Sequence, residues 1–236
     1  MAELETLPGP RWLYLHGFAS GPDSVKGRRV ADHYAGRGVS VERLNLRVPS
    51  FERQRLSSMI EATRTALGGE RDRGVLFGSS LGGLTACRVA ERDARVAALV
   101  LLAPAFCFVE RWRERVGDQT WNDWRRDEWL AVDDHAERRP NRVDFGFALD
   151  AQAIDEAWGA FPDVRVPCLV VHGRHDDIVD IALSRRWAAG KPHVRLLEVD
   201  DGHELVASLD RIVHEADAFL APFLHGAAPG AGRPSA

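Results

Sequence analysis

The sequence predicts an α/β fold, a doubly wound and mainly parallel sheet, and three observations carry that expectation. Short apolar runs alternate with stretches of helical periodicity along most of the 236 residues. The run Val96 to Leu102 is apolar throughout, as a strand buried on both faces must be. A further short run, Val75 to Phe77, ends in the glycine-bounded turn Gly78-Ser79-Ser80-Leu81-Gly82-Gly83 and continues as helix from Leu84 to Ala90. Strands separated by helices imply right-handed crossovers and ligand binding at the carboxyl ends of the strands.

Taken in order, Trp12 to Leu15 reads as a strand. It runs into His16-Gly17-Phe18-Ala19-Ser20-Gly21-Pro22, which is too rich in glycine and small residues to continue a strand or a helix. Helix is expected over 25–35, strand over 39–46, and helix over 51–67, where Leu56, Ile60 and Leu67 have helical spacing. After the elbow and the run at 96–102 the alternation stops at Pro104. Residues 106–158 mix charges with Trp112, Trp121, Trp124, Trp129, Phe145 and Phe147, which predicts an inserted cap of short helices in place of a long loop. The insertion follows the strand expected beside the elbow strand, so it leaves the sheet at the edge where Ser80 lies. Strand at 168–171, helix at 181–189, strand at 194–199 and a closing helix at 205–224 complete one domain over 1–224. The low-complexity tail at 225–236 is expected to be disordered.

Composition narrows the function classes. The chain is 45% hydrophobic, enough for a sizeable core, and its net charge of −4 comes from interspersed residues of both signs, so it offers no footprint for nucleic acid or an anionic membrane. Three widely spaced cysteines, Cys87, Cys107 and Cys168, make neither a metal site nor a disulfide framework and suit buried thiols in a reducing compartment. The start MAELETLPGPR lacks the features of a signal peptide, and no apolar run reaches membrane-spanning length. A cytoplasmic location and no membrane insertion are therefore expected.

Ser80 stands at the apex of a G-x-S-x-G elbow. Its flanking glycines answer a steric need, because a side chain at Gly78 or Gly82 would strike the neighbouring element. The turn presents a hydroxyl at a helix N-terminus, where free N–H groups favour the negative charge that develops on an attacked carbonyl. The plainer reading is a serine that caps its helix. A serine nucleophile needs a base and a group that orients the base. Two strand ends supply candidates: His172-Gly173-Arg174-His175-Asp176-Asp177-Ile178-Val179 and Asp200-Asp201-Gly202-His203. Each also has a structural reading. His16 and His172 read as core histidines bonded to backbone, His203 as a cap of the last helix, and Asp176-Asp177 as turn and cap residues. His175 competes with His203 for the role of base.

These motifs in this order resemble the α/β-hydrolase superfamily, in particular small bacterial carboxylesterases and acyl-thioesterases with an HGF loop, a GxSxGG elbow, an HGxxDxxV strand end and a terminal GH. The resemblance runs from about Trp12 to Leu224. It implies Ser80 as nucleophile, Asp176 as triad acid and His203 as base, with the N–H groups of Phe18 and Leu81 as the oxyanion hole. Asp180 stands where the family usually has proline, and the first strands of larger members are missing. The activity implied is hydrolysis of a small carboxylic ester or thioester through an acyl-enzyme, with no metal and no cofactor. A short-peptide peptidase and a non-catalytic ligand-binding protein of the same fold are the alternatives, and serine at the elbow disfavours a haloalkane dehalogenase. Two finer expectations concern neighbours of the site. Asp177 should cap the helix that follows it, and Trp121, Trp124 and Trp129, besides packing the cap, should present apolar surface to an acyl chain.

Overall fold

The computed structural model describes residues 9–224, so the expected tail at 225–236 lies outside the described residues. Its elements run β1 (Arg11–Leu15), α1 (Val25–Ala35), β2 (Val41–Leu44), α2 (Leu56–Ala66), β3 (Gly74–Ser79), α3 (Leu81–Ala90), β4 (Val96–Leu102), α4 (Phe108–Asp127), β5 (Trp129–Asp134), β6 (Arg139–Asp144), α5 (Gly146–Trp158), β7 (Cys168–Gly173), α6 (Ile181–Ala188), β8 (Val194–Val199) and α7 (Leu209–Leu224). Six strands pair in parallel in the order β2-β1-β3-β4-β7-β8, which is the doubly wound sheet expected. The order reverses between β1 and β3. The carboxyl ends of these two strands carry the His16-Gly17-Phe18 loop and the Ser80 elbow, at the switch point where open sheets of this kind bind ligands.

Strand periodicity splits the core into two layers. Val75, Phe77, Val100 and Val171 pack with Val30 and Tyr34 of α1 and Ile212 and Leu220 of α7. On the opposite face Leu76, Leu99, Leu101 and Val170 pack with Ile60 of α2, Leu84 of α3 and Trp187 of α6. Each such side chain contributes about 1.5–3 kcal/mol when fully buried. No helix among the described residues is long and apolar enough to cross a membrane.

Three boundaries move for local reasons. The expected strand at 39–46 pairs only over Val41–Leu44. The helix expected from Phe51 starts at Leu56, because the chain first turns through Pro49-Ser50 and the Arg55 N–H bonds back to the Val48 carbonyl at 3.1 Å. The closing helix starts at Leu209 because Leu205 adopts φ 54°.

The insertion is not helical throughout, which corrects the expectation for 106–158. It is helical at both ends, with α4 kinked at Gly117 (φ 80°, ψ 156°), and its middle is the antiparallel hairpin β5–β6. Only one face of that ribbon is half-buried, its alternation is crossed by charged residues, and Pro140 sits in β6, so its strand signal is weak in sequence. Ion pairs and a backbone bond clamp the insertion to the helices and loops around the main sheet. Arg55 grips Asp144 in bidentate fashion at 2.6 and 2.9 Å, and Arg47 pairs with the buried Asp134. The fully buried Arg88 of α3 reaches Asp155 of α5 at 2.7 Å. At the hairpin tip the Ala136 N–H donates to the Ala19 carbonyl at 3.1 Å, which draws the tip over the loop after β1.

Candidate active site

The elbow is built as its glycines require. A Cβ at Gly78 would lie 2.5 Å from the Gly82 carbonyl oxygen, and one at Gly82 would lie 2.1 Å from the Leu15 carbonyl oxygen. Ser80 itself adopts φ 52° and ψ −116°. Such backbone costs about 1–3 kcal/mol and persists only where the surroundings impose it. Here the Ser80 N–H donates to Leu102 at 2.9 Å, and the Ser80 carbonyl accepts from Gly83, Leu84 and Ala105. The Ser80 hydroxyl makes no capping bond to α3, so the reading of this serine as a helix cap does not hold. Gly17 presses against the elbow, since a Cβ there would sit 3.2 Å from the Ser80 Cβ.

Asp176 and His203 meet although 27 residues separate them, with His203 Nδ1 2.8 Å from Asp176 Oδ2. Gly173 permits the approach, because a Cβ at the end of β7 would lie 2.3 Å from the Asp201 carbonyl oxygen. Asp201 shapes the second loop by accepting from Gly202 N–H at 2.8 Å and Ser208 N–H at 2.9 Å. Lys26 of α1 steadies it, bonding the His203 carbonyl at 3.4 Å and Glu204 at 3.2 Å. The other Asp176 oxygen accepts from the N–H groups of Ile178 and Val179 at 2.9 and 2.8 Å. Burial by itself would raise the carboxyl pKa of Asp176. The bonds from His172, His203 and Val179 outweigh it and hold the pKa well below the usual carboxylate range. Asp177 is exposed and makes no side-chain hydrogen bond among the described residues. The helix that follows is capped by Asp180, which accepts from Ala182 N–H at 2.8 Å, so the expectation that Asp177 caps it is corrected.

Behind this pair lies a second Ser–His–Asp string, all of it buried. His172 Nδ1 is 2.8 Å from Ser184 Oγ, and its Nε2 is 2.9 Å from the Val179 carbonyl and 3.1 Å from Asp176 Oδ2. Nε2 faces two acceptors and therefore carries a proton, and Nδ1 faces the Ser184 hydroxyl. In composition this string matches a serine-hydrolase triad. In position it does not, since Ser184 lies inside α6, away from the elbow and without exposure. His172 thus buttresses Asp176, a role that spacing alone does not reveal.

The two other candidate histidines, His16 and His175, separate cleanly. His16 is buried, its Nδ1 donating to the Gly17 carbonyl at 2.9 Å while Nε2 accepts from Leu46 N–H at 3.0 Å. Burial pushes its pKa down. This is the core histidine bonded to backbone that the sequence suggests. It also has a consequence for the site: the Gly17 carbonyl and the Phe18 N–H belong to one planar peptide, so a bond to the first orients the second. Among the described residues neither the Phe18 N–H nor the Leu81 N–H donates to a protein acceptor. His175 is exposed and bonds Asp200 at 2.7 Å, outside the pocket that contains Ser80.

That pocket, about 830 Å³, is lined by Ser80 and His203 together with Phe18, Phe106, Phe108, Trp112, Val132 and His135. The insertion therefore faces the elbow. Its aromatic contribution comes from other residues than Trp121, Trp124 and Trp129. Trp124 is buried against Phe145, with Nε1 donating to the Val143 carbonyl at 3.0 Å, and Trp121 packs edge-on to both rings. Trp129 lies under the guanidinium of Arg142 at 4.0 Å. These three hold the insertion together, and Trp112 supplies the indole that lines the pocket. Trp112→Ala is expected to change the ratio of kcat/KM for long and short acyl esters by roughly 10-fold. Trp124→Ala should instead lower Tm through a core loss of about 3–5 kcal/mol, with that ratio unchanged. Assays on p-nitrophenyl esters of graded acyl length, beside thermal melts, separate the two, and an unaltered ratio for Trp112→Ala would show that its indole does not contact the acyl chain.

Comparison with known proteins supports this architecture. The model of the Uncharacterised protein family (UPF0227) matches residues 11–221. No curated protein matches the chain in sequence. Among solved structures, a candidate hydrolase from Agrobacterium vitis S4 is similar at 23% identity and TM-score 0.75, covering 89% of this chain and 88% of its own. Alpha/beta hydrolase domain-containing protein 10 from mouse is 17% identical with TM-score 0.73, covering 94% and 97%. Est1E from Butyrivibrio proteoclasticus, in a structure with ferulic acid bound, is 18% identical with TM-score 0.74, covering 95% and 93%. At these identities the likeness concerns the fold, which is that of the α/β-hydrolases.

Proposed function

Because the chain belongs to the Uncharacterised protein family (UPF0227) and carries an α/β-hydrolase fold, we propose that it is a serine hydrolase that cleaves small carboxylic esters or thioesters through an acyl-enzyme. One observation carries the reading: a serine held in strained backbone, with no capping bond, opens into the same pocket as a histidine already bonded to a buried carboxylate. His203 takes the Ser80 proton as the oxygen attacks the carbonyl carbon. Asp176, accepting at Nδ1, holds the ring in the tautomer whose Nε2 is free to receive that proton. The N–H groups of Phe18 and Leu81 stabilise the oxyanion, His203 protonates the departing alcohol or thiol, and water, deprotonated by His203, releases the acid. In this reading residues 106–158 are the cap of a single domain, of whose expected span 1–224 residues 1–8 lie outside the described residues. The three buried free cysteines suit a cytoplasmic location.

A fluorophosphonate tests the assignment, since it labels only an activated serine. The expected result is one adduct, located on the Ser80 peptide by mass spectrometry, with Ser184 unmodified. An unlabelled protein that still binds small esters would identify a non-catalytic ligand-binding protein, and an adduct on Ser184 would transfer the role to the inner string.

A further inference from the structure

We infer that the pocket mouth beside His203 seats the leaving group of the substrate, and that this group is an apolar alcohol or thiol; the inference rests on the hydrolase reading. Among the described residues four large hydrophobic side chains are exposed: Val25 (52%), Leu149 (53%), Ile178 (39%) and Val206 (53%). All but Leu149 line the pocket that holds Ser80 and His203. A single exposed aliphatic side chain needs no explanation. Three that converge on one cavity from separate stretches of chain form apolar surface that the fold itself leaves uncovered. Val25 begins α1, Ile178 follows Asp176 by two residues, and Val206 follows His203 by three. The buried Val179 continues the same surface inward.

The chemistry decides which half of the ester lies there. Ser80 Oγ forms a bond to the carbonyl carbon and the bond from that carbon to the ester oxygen or thioester sulfur breaks. The proton that His203 took from Ser80 passes to the departing atom. The leaving group must therefore lie within reach of His203, against the side chains that flank it. The acyl part stays bonded to Ser80, and the same pocket offers it the aromatic side chains of Phe18, Phe106, Phe108 and Trp112. Arg111 and Arg115 line the pocket from α4, on the helix that carries Phe108 and Trp112, whereas Lys26, next to Val25 in the chain, is engaged by Glu204 and the His203 carbonyl. The leaving-group side thus offers aliphatic contact in place of a cation free to hold a polyanion.

The test varies the two halves of the substrate separately. Acetate esters of straight-chain alcohols from methanol to hexanol vary the leaving group, and p-nitrophenyl esters from acetyl to octanoyl vary the acid. Wild-type kcat/KM is expected to rise about two- to fourfold per methylene of the alcohol over the first few carbons. The double variant Val25→Ser/Val206→Ser, and Ile178→Ser read separately, should flatten that slope. The dependence on acyl length should keep its wild-type slope in these variants, because the acyl chain does not contact these side chains. A wild-type rate indifferent to alcohol length, a slope retained in both variants, or a flattened acyl series would each overturn the inference. A wild-type protein inactive on every ester and unlabelled by fluorophosphonate is a different result: it removes the hydrolase reading, and this inference with it.

Discussion

Replacing Ser80 by alanine is expected to leave a folded protein whose kcat for ester hydrolysis falls by on the order of 10⁶, the usual consequence of losing a serine nucleophile. About 10³ to 10⁴ over water should remain, because the proposed oxyanion donors, the N–H groups of Phe18 and Leu81, and the pocket are untouched. The fold should survive because the hydroxyl makes no bond within α3, and the backbone bonds that hold the elbow do not involve it. Two controls sharpen the result. Ser79 is adjacent but buried at the end of β3, and Ser184 belongs to the inner string. Each alanine variant should retain far more turnover than Ser80→Ala. Wild-type turnover in Ser80→Ala together with inactivity in Ser184→Ala would show that the elbow has been assigned to the wrong serine.

Asp176→Asn should lower kcat by about 10⁴, through loss of the tautomer that presents Nε2 to Ser80, while Asp177→Asn should cost little. Asp177 is exposed, whereas Asp176 accepts from two histidines and two backbone N–H groups. The same substitution has a signature in stability. The carboxyl pKa of Asp176 is lower in the folded protein than its ordinary value, so its ionised form stabilises the fold at all pH values above the ordinary carboxylate pKa. That contribution is lost as pH falls from there towards the folded value. The difference in stability between wild type and Asp176→Asn, measured by urea unfolding, should be full at neutral pH and shrink on acidification below about pH 4. Equal kinetic losses in Asp176→Asn and Asp177→Asn would contradict the assignment.

Much of the fold was legible because the signals that specify it are local. A parallel strand buried on both faces must be apolar throughout, so 96–102 and 168–171 announce themselves. An elbow whose neighbours pass within 2.1 to 2.5 Å of a missing Cβ must carry glycine, so Gly78 and Gly82 mark Ser80 without reference to any other part of the chain. Signals of another kind were faint. The hairpin at 129–144 is a two-stranded ribbon with one half-buried face, and its short alternation is lost among charges that a solvated surface tolerates anywhere.

What the sequence by itself determined was therefore the parallel sheet, the position of the Ser80 elbow, and the two loops that carry Asp176 and His203. The resemblance named Asp176 and His203, and the tertiary structure shows them bonded; only the tertiary structure decided that Asp180 and not Asp177 caps α6, that His172 stands behind Asp176, and that Trp112 rather than Trp121, Trp124 or Trp129 faces the pocket. The physical reason is range. Secondary structure and steric demands for glycine arise between near neighbours in the chain, whereas a hydrogen bond between Asp176 and His203, or a pocket walled by residues from 14 to 206, exists only after the sheet has set the separations and directions of side chains remote in sequence.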